Sequence, residues 1–189
     1  MKMPRRANPD PADAVTSFAP VADSRARVLI LGSMPGAASL ARDQYYAHPR
    51  NAFWPIMGAI AGFDPALPYR QRLWHLQQAG FALWDVLHSC VRPGSLDSAI
   101  EPASEVANDF ATFFRAHPRI GLVCFNGTAA QRTFDRHVRA ALQPLRLDTL
   151  RLPSTSPAHA ARSFEQKQAA WRIALLSAGR APAPDGCRT

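Results

Sequence analysis

The chain has 189 residues, 47% of them hydrophobic, and a formal net charge of +8 at pH 7. This length predicts one domain, and the hydrophobic fraction excludes a wholly disordered chain. No apolar run approaches the roughly 18 residues that span a bilayer, and the N-terminus lacks the apolar core of a signal peptide. We therefore expect a soluble, cytoplasmic protein without a membrane partner.

Short apolar runs and helical segments alternate through residues 25–178, which we predict to be a single domain. Residues 1–24, rich in Pro, Ala and Asp, and the tail 179–189 are expected to be flexible. The predicted strands cover residues 27–31, 81–86, 121–125 and 145–152. The predicted helices cover residues 53–61, 69–78, 103–116, 128–141 and 163–176.

Strands that alternate with helices imply right-handed crossovers and a parallel sheet. The predicted fold class is α/β: a three-layer α/β/α sandwich around a central, mainly parallel four-stranded sheet. Ligands of such sheets bind outside the carboxyl ends of the strands. The unusual sequence lies at those ends: GSMPG, WDV, FNG and PSTSPAHA follow or close the four strands in turn.

The charge indicates what kind of partner the chain binds, and the cysteines indicate whether disulfides or a zinc site are expected. Most of the 22 basic residues are arginine, a side chain suited to bidentate contact with phosphate. This balance favours a nucleic-acid partner, but by itself it is a weak signal, because arginine-rich genomes raise the pI of a whole proteome. Cys90, Cys124 and Cys187 form no CxxC pair, so neither a disulfide framework nor a zinc site is predicted.

The motif GSMPG directly follows the first strand and comprises Gly32, Ser33, Met34, Pro35 and Gly36. Gly and Pro after a buried strand favour a tight turn with exposed backbone N–H groups, which can bind a phosphate or a base carbonyl. The motif is neither a P-loop nor a dinucleotide fingerprint. The alternative is an ordinary turn between a strand and a helix.

The stretch QYYAHPRNAFW at residues 44–54 combines four aromatic side chains with a His, an Arg and an Asn. Aromatic faces stack on bases and interleaved Arg contacts phosphate, while Asn can bond a base edge or orient a water molecule. Phe53 and Trp54 are expected to be core residues that open a helix. That interpretation does not account for Tyr46, His48 and Asn51.

The motif PSTSPAHA follows the fourth strand and includes Ser154, Thr155, Ser156, Pro157, Ala158 and His159. Three hydroxyls between prolines favour a rigid loop that grips DNA phosphates, and the alternative is a capping region for the next helix. Asn126 ends the third strand, where it is either a site residue or a turn former. Asp85 ends the second strand, where it is either a hidden base or a cap.

Taken together, GSMPG, QYYAHPRNAFW, FNG and PSTSPA resemble the uracil-DNA glycosylase superfamily, and most closely its deoxyinosine (hypoxanthine-DNA) glycosylase branch. The resemblance covers about residues 25–177, and its specificity lies in the combination of motifs. It implies a base-excision repair enzyme that flips a deaminated base out of DNA, hypoxanthine in preference. Such an enzyme hydrolyses the N-glycosidic bond and leaves an abasic site.

The resemblance implies roles for single residues that bind the substrate. The backbone of the turn 32–36 faces the flipped base, and Asn126 is placed in the same base-binding set. Tyr46 corresponds to the aromatic residue that stacks on the extruded base. The loop 154–159 corresponds to the loop that grips phosphate and wedges into the vacated space.

The resemblance also implies a catalytic residue. Mismatch-specific relatives carry in the first turn an Asn that activates water, and this chain has Met34 there, whose thioether cannot do so. In the deoxyinosine branch the Asn of the HPRN stretch resembles the functional replacement, which makes Asn51 the predicted catalytic residue. His48 and Asp85 are secondary candidates.

No cofactor or metal is predicted, because the zinc-deaminase signatures HxE and PCxxC are absent. The only lysines, Lys2 and Lys167, lie outside the motifs, so lyase activity is not expected. DNA that contains a damaged or deaminated base is the predicted partner of a monomeric enzyme. Two alternatives stay open: a glycosylase that prefers uracil or another deaminated base, and a catalytically silent DNA-binding module.

Overall fold

The computed structural model describes residues 14–143 and 145–178. The flexibility predicted for residues 1–13 and 179–189 lies outside the described residues. The strands are β1 (Ala14–Thr16), β2 (Val28–Gly32), β3 (Phe81–Asp85), β4 (Leu87–Val91), β5 (Val106–Ala107), β6 (Leu122–Asn126) and β7 (Asp148–Leu152). The helices are α1 (Ala37–Leu40), α2 (Phe53–Ala61), α3 (Tyr69–Gln78), α4 (Phe110–Ala116), α5 (Thr128–His137) and α6 (Phe164–Ala178).

The central sheet has four strands in the order β3-β2-β6-β7, and every neighbouring pair is parallel. All five residues of β2 and all five of β3 are buried. Strands covered on both faces are continuously apolar, which is why the run at residues 27–31 could be recognised. The prediction of an α/β fold with a four-stranded parallel sheet is confirmed.

Two apolar clusters cover the two faces of this sheet. On one face, Leu29 and Leu31 pack with buried side chains of α4 and α5. On the other face, Val28 and Ile30 pack with α2, α3 and α6. Successive strand residues point to opposite faces, so β2 alone supplies both cores. The predicted three-layer α/β/α arrangement is therefore confirmed.

A second, three-stranded antiparallel sheet in the order β1-β4-β5 was not predicted. At residues 14–22 the structure differs from the flexible lead-in that the sequence predicts for residues 1–24. Ala14–Thr16 pairs with β4, and Val21 exchanges two backbone hydrogen bonds of 2.9 Å with Leu83. The two Val21 bonds pair the N–H and C=O groups of Leu83 at the outer edge of β3, which would otherwise lack partners in the sheet.

Two helices have different bounds in the structure than the sequence predicts. The helix expected at residues 103–116 begins only at Phe110, because the Asp109 side chain accepts the N–H of Thr112 and caps it. Before that cap, Pro102–Ser104 is a 3-10 turn and β5 pairs with β4. The helix expected at residues 128–141 ends at His137 and continues as a 3-10 turn over Arg139–Leu142. No described helix is long and apolar enough to cross a membrane.

Candidate active site

A cleft of about 1090 Å³ opens at the carboxyl ends of the four parallel strands. Its lining includes the turn after β2, the carboxyl ends of β3 and β6, and the loop after β7. The sequence-predicted site residues that line it are Ser33, Met34, Pro35, Gly36, Tyr46, His48, Asn51, Asp85, Asn126 and all six residues of the loop 154–159. Segments far apart in sequence are thus brought together at one edge of the sheet.

Gly32 lies beneath this cleft and allows two polar side chains to approach each other. A Cβ atom at Gly32 would overlap the Asp85 Oδ1 atom and would come within 3.4 Å of the Tyr46 hydroxyl. The two side chains therefore meet over a backbone that only glycine leaves open. The predicted contact between Gly32 and the base itself stays a prediction.

Tyr46 has an unusual backbone and an unusual hydroxyl group. Its φ of 55° is rare for an aromatic residue and costs energy that the surrounding structure must balance. One face of its ring stacks on Phe53 at a centroid distance of 3.9 Å. The buried hydroxyl, near the Asn126 side chain, has no hydrogen bond of good geometry within the described residues. Burial raises the pKa of this hydroxyl, so Tyr46 is a neutral donor.

Asp85 is the most perturbed acid of the cleft. The side chain is 3% exposed, and its Oδ2 atom has no hydrogen-bond partner in the described part of the chain. Burial raises the pKa of Asp85 to about 8, and the negative charge of Asp97 adds to this shift while Arg92 opposes it. An acid with such a pKa is mostly protonated at neutral pH.

The turn after β2 is fixed by a buried arginine. Arg92, 2% exposed, donates from Nη2 to the Pro35 carbonyl at 2.7 Å and from Nε to the Gly94 carbonyl at 3.2 Å. Met34 is 6% exposed and packs with Leu87 and other apolar residues of a third cluster. Its side chain therefore anchors the turn, consistent with the expectation that a thioether does not activate water.

Asn51 combines two possible functions. Its Oδ1 atom accepts the N–H of Phe53, the first residue of α2, at 3.0 Å, so one function is to support the start of this helix. Its Nδ2 group has no hydrogen-bond partner among the residues described, and the side chain lines the cleft. His48 also lines the cleft, with Nδ1 accepting the N–H of Arg50 at 3.1 Å. Arg50, the arginine of the stretch 44–54, is not among the lining residues.

Asn126 is bonded at both ends of its amide. Nδ2 donates to the Thr155 hydroxyl at 2.9 Å, and Oδ1 accepts the Thr155 N–H at 2.8 Å. Lys167, 6% exposed, donates to the carbonyl groups of His159 at 2.8 Å and Ser156 at 3.4 Å. Strand β6 and helix α6 together fix the loop 154–159, which is consistent with the rigid loop that the sequence predicted.

Basic and acidic residues that the motifs did not include also line the cleft. Arg151 and Arg162 are exposed beside the loop 154–159. Asp97 lies on the opposite wall, accessible to solvent, and the protein around it raises the pKa of its carboxyl. Nothing in the segment RPGSLDS ties Asp97 or Arg92 to a site, because only the path of the chain after β4 brings them there. No described group of three His, Cys, Asp or Glu residues could hold a metal ion.

The model of the uracil DNA glycosylase superfamily matches residues 19–178. A hypoxanthine DNA glycosylase of Methanosarcina barkeri is 35% identical over 159 residues, covering 84% of this chain and 96% of that protein. One of Methanosarcina acetivorans is 34% identical over 155 residues, covering 82% and 93%.

Structural comparison agrees with the sequence relatives. The solution NMR structure of a Methanosarcina acetivorans protein, described as a candidate uracil DNA glycosylase, has a TM-score of 0.73 and 29% identity. The match covers 88% of this chain and 99% of that one. The resemblance predicted from the motifs is confirmed, and the chain belongs to the uracil DNA glycosylase superfamily.

Proposed function

We propose that this chain is a DNA glycosylase that removes a deaminated base, preferably hypoxanthine, and leaves an abasic site. One observation carries the proposal: Tyr46, Asn51 and Asp85 converge with the turn 32–36 in a cleft large enough for a flipped nucleotide. The relatives of 34–35% identity, both named hypoxanthine DNA glycosylase, supply the substrate class.

The geometry suits the two requirements of the reaction. When the C1′–N bond breaks, the sugar becomes cation-like and the departing base takes up negative charge, so donors aimed at the base lower the barrier. The Tyr46 hydroxyl is such a donor, because it is buried and has no hydrogen-bond partner in the part of the chain that the structure describes. The Nδ2 group of Asn51 can hold the attacking water. A neutral amide is a poor base, which is tolerable when bond breaking precedes attack.

The outer parts of the cleft are suited to binding the DNA backbone. Flipping a base costs a few kcal/mol and is cheapest for a weakly paired base, such as hypoxanthine opposite thymine. The fixed loop 154–159 and the exposed Arg151 and Arg162 offer hydroxyl and guanidinium donors to the phosphates that flank the flipped nucleotide. Phosphate contact carries no sequence information, so the specificity of the enzyme must reside in the inner cleft.

Uracil is the second candidate substrate. Its Watson–Crick edge, like that of hypoxanthine, carries a carbonyl oxygen next to a ring N–H, so one set of cleft groups can bind either base. The structural relative described as a candidate uracil DNA glycosylase favours this alternative. A silent DNA-binding module would bind the same DNA without releasing any base.

An excision assay decides among these functions. Oligonucleotides that contain hypoxanthine, uracil, xanthine or ethenoadenine, each single-stranded and double-stranded, are incubated with the protein, and abasic sites are cleaved with alkali. We expect hypoxanthine to be released fastest. Preferential release of uracil would select the second function, and binding without any release would reject both.

We further propose that the enzyme is monofunctional and monomeric. Lys167 is the one lysine among the described residues, and its Nζ group already donates to two backbone carbonyls. It does not line the cleft, so it is badly placed to attack C1′. Borohydride should therefore trap no covalent complex with DNA, and light scattering should report the mass of one chain.

A further inference from the structure

Two polar atoms in the inner cleft are buried and find no hydrogen-bond partner among the described residues: the Tyr46 hydroxyl oxygen and Asp85 Oδ2. Both side chains converge above Gly32, where no Cβ separates them. Buried polar atoms are nearly always paired, so two unpaired ones side by side in a cleft indicate the place of a ligand. The ligand must offer a hydrogen-bond acceptor to the Tyr46 donor.

The surroundings of Asp85 do not favour a charged carboxylate. Among residues 14–143 and 145–178, no cation lies within ion-pair distance of its oxygens. The buried Arg92 guanidinium donates to the Pro35 and Gly94 carbonyls; its Nη1 atom has no hydrogen-bond partner within the described residues and forms no ion pair with Asp85. A buried, unpaired carboxylate costs several kcal/mol, and the usual response of a protein is to keep the group protonated.

We infer that Asp85 acts as an un-ionised carboxylic acid whose O–H donates a hydrogen bond to the carbonyl oxygen of the flipped base. This inference rests on the proposed glycosylase function and assigns the group that reads the base. No atom is transferred: the proton stays on Asp85 while the C1′–N bond breaks and its electron pair leaves with the base. The hydrogen bond strengthens as that charge develops, which lowers the barrier.

The protonation state of Asp85 also decides which base fits. An ionised carboxylate only accepts hydrogen bonds, so it suits the amino group of adenine and repels the carbonyl oxygen that deamination puts in its place. The acid form can donate to that oxygen and accept from the adjacent ring N–H. A hydrogen-bonding pair of this kind is common to hypoxanthine and uracil.

The inference predicts a pH dependence of the excision rate. The pKa of Asp85, raised by burial to about 8, places the loss of its donor in the alkaline range. Tyr45, Tyr46 and Tyr69 also face Asp85, and burial raises the pKa of each hydroxyl, so they stay neutral there. His48 in the same cleft and the ring N–H of the substrate are present with the wild type and with the Asp85 variants alike, so comparing their pH profiles isolates the effect of Asp85.

The first test compares single-turnover excision of hypoxanthine by the wild type and by Asp85→Asn from about pH 5 to about pH 10. An amide keeps a donor and an acceptor but does not titrate. We expect the wild-type rate to fall at a lower pH than that of Asp85→Asn, which should retain a rate within about tenfold at neutral pH. Asp85→Ala, without any donor, should lose about 100-fold or more, and Asp135→Asn on the exposed face of α5 should keep the wild-type profile.

The second test needs no DNA and separates this inference from the glycosylase function. Folded Asp85 holds its proton up to about pH 8, whereas the unfolded chain loses it near the ordinary pKa of about 3.9. Wild-type stability is therefore fully present at acidic pH and falls as pH rises through this window. We expect the melting temperature of Asp85→Asn, relative to wild type, to rise steadily from about pH 4 to about pH 8.

The outcomes are distinct. If Asp85 were a general base, Asp85→Asn would lose excision by orders of magnitude at every pH and Asp85→Ala would lose no more. If the two pH profiles and the two melting curves ran in parallel, Asp85 would be ionised and the inference would be wrong.

Should Asp85→Asn fail to fold, Asp97→Asn replaces it. Loss of the Asp97 charge lowers the pKa of Asp85, so the fall of the excision rate at alkaline pH must move to lower pH. A wild type that excises no base while the melting curves behave as expected would refute only the proposed function.

Discussion

Two walls of the cleft use their polar groups in opposite ways. The inner wall, formed by Tyr46 and Asp85 above Gly32, holds two buried polar atoms that have no hydrogen-bond partner in the described chain. The loop wall, formed by Asn126 and the loop 154–159, uses its polar groups in hydrogen bonds of 2.8–3.4 Å within the protein, two of them donated by the buried Lys167. Polar groups without a protein partner indicate where a ligand binds. Polar groups that already bond to one another stabilise the shape of the site.

Substitutions in the two walls should therefore have different effects on function and on stability. A substitution in the inner wall should change binding or chemistry more than folding, because its free groups contribute little to the folded state. A substitution in the loop wall should first appear as lost stability, because it leaves a buried partner unsatisfied. Asn51 lies between these cases, with one amide atom bonded to Phe53 and the other free.

The largest effect is expected for Asn51→Ala, which tests the intermediate case. Loss of the amide that holds the water should lower single-turnover excision of hypoxanthine by orders of magnitude. Loss of the bond to the Phe53 N–H should cost only about 1 kcal/mol of stability. Rates at saturating enzyme and the melting temperature measure the two effects separately.

Asp109→Ala is the matched control, because Asp109 accepts a helix N–H at the start of α4 outside the cleft. It should lose similar stability and keep full excision. Near-normal excision by a folded Asn51→Ala protein would leave Asn51 with the capping role alone and direct attention to His48.

The next effect concerns the aromatic side chain of the inner wall. Tyr46→Ala should lose about 1–3 kcal/mol of affinity for DNA with the damaged base, the usual value of stacking on one base. Tyr46→Phe keeps the ring and should retain most of that affinity. Fluorescence anisotropy with a labelled duplex gives both values, and Trp74→Ala, exposed on α3, serves as the control. Equal losses for the Phe and Ala variants would show that the hydroxyl matters and the ring does not.

The loop wall should respond through stability. Asn126→Ala leaves the Thr155 N–H without its partner and should cost about 1–3 kcal/mol, which lowers the melting temperature by about 2–4 °C per kcal/mol in a chain of this size. Thr155→Val removes one of the two bonds and should cost less. An Asn126→Ala protein of unchanged melting temperature that excises nothing would instead support the predicted direct contact of Asn126 with the base.

The smallest effects are expected at the rim. Arg151→Ala and Arg162→Ala should each weaken binding of any duplex. For each lost phosphate contact, the slope of the logarithm of the binding constant against the logarithm of the salt concentration should become shallower by about 0.9. Arg115→Ala, exposed on α4 away from the cleft, should leave the salt dependence unchanged. If neither rim variant altered it, phosphate binding would have to be reassigned to the loop 154–159 itself.

Much of this protein is determined by local sequence. Strands β2, β3 and β6 are largely apolar runs, because burial on both faces of the sheet favours apolar side chains, whereas the edge strand β7 is mostly exposed. The turn GSMPG, the aromatic stretch before α2 and the loop after β7 could be recognised because each motif is contiguous. The rule that parallel strands present their carboxyl ends at one edge then places the three motifs in a common cleft.

Other features were decided only by tertiary structure. The pairing of Ala14–Thr16 with β4 gives no periodic signal in so short a strand, and Asp109 begins a helix several residues later than propensity indicates. Asp97 reaches the cleft, and Arg92 reaches the Pro35 carbonyl of the turn after β2, because the chain turns back after β4. The sequence also left Asn126 and Asp85 as equivalent polar residues at strand ends. Whether each is bonded or free depends on what the fold packs against it, and no local pattern encodes those neighbours: Thr155 covers Asn126, whereas a glycine leaves Asp85 open.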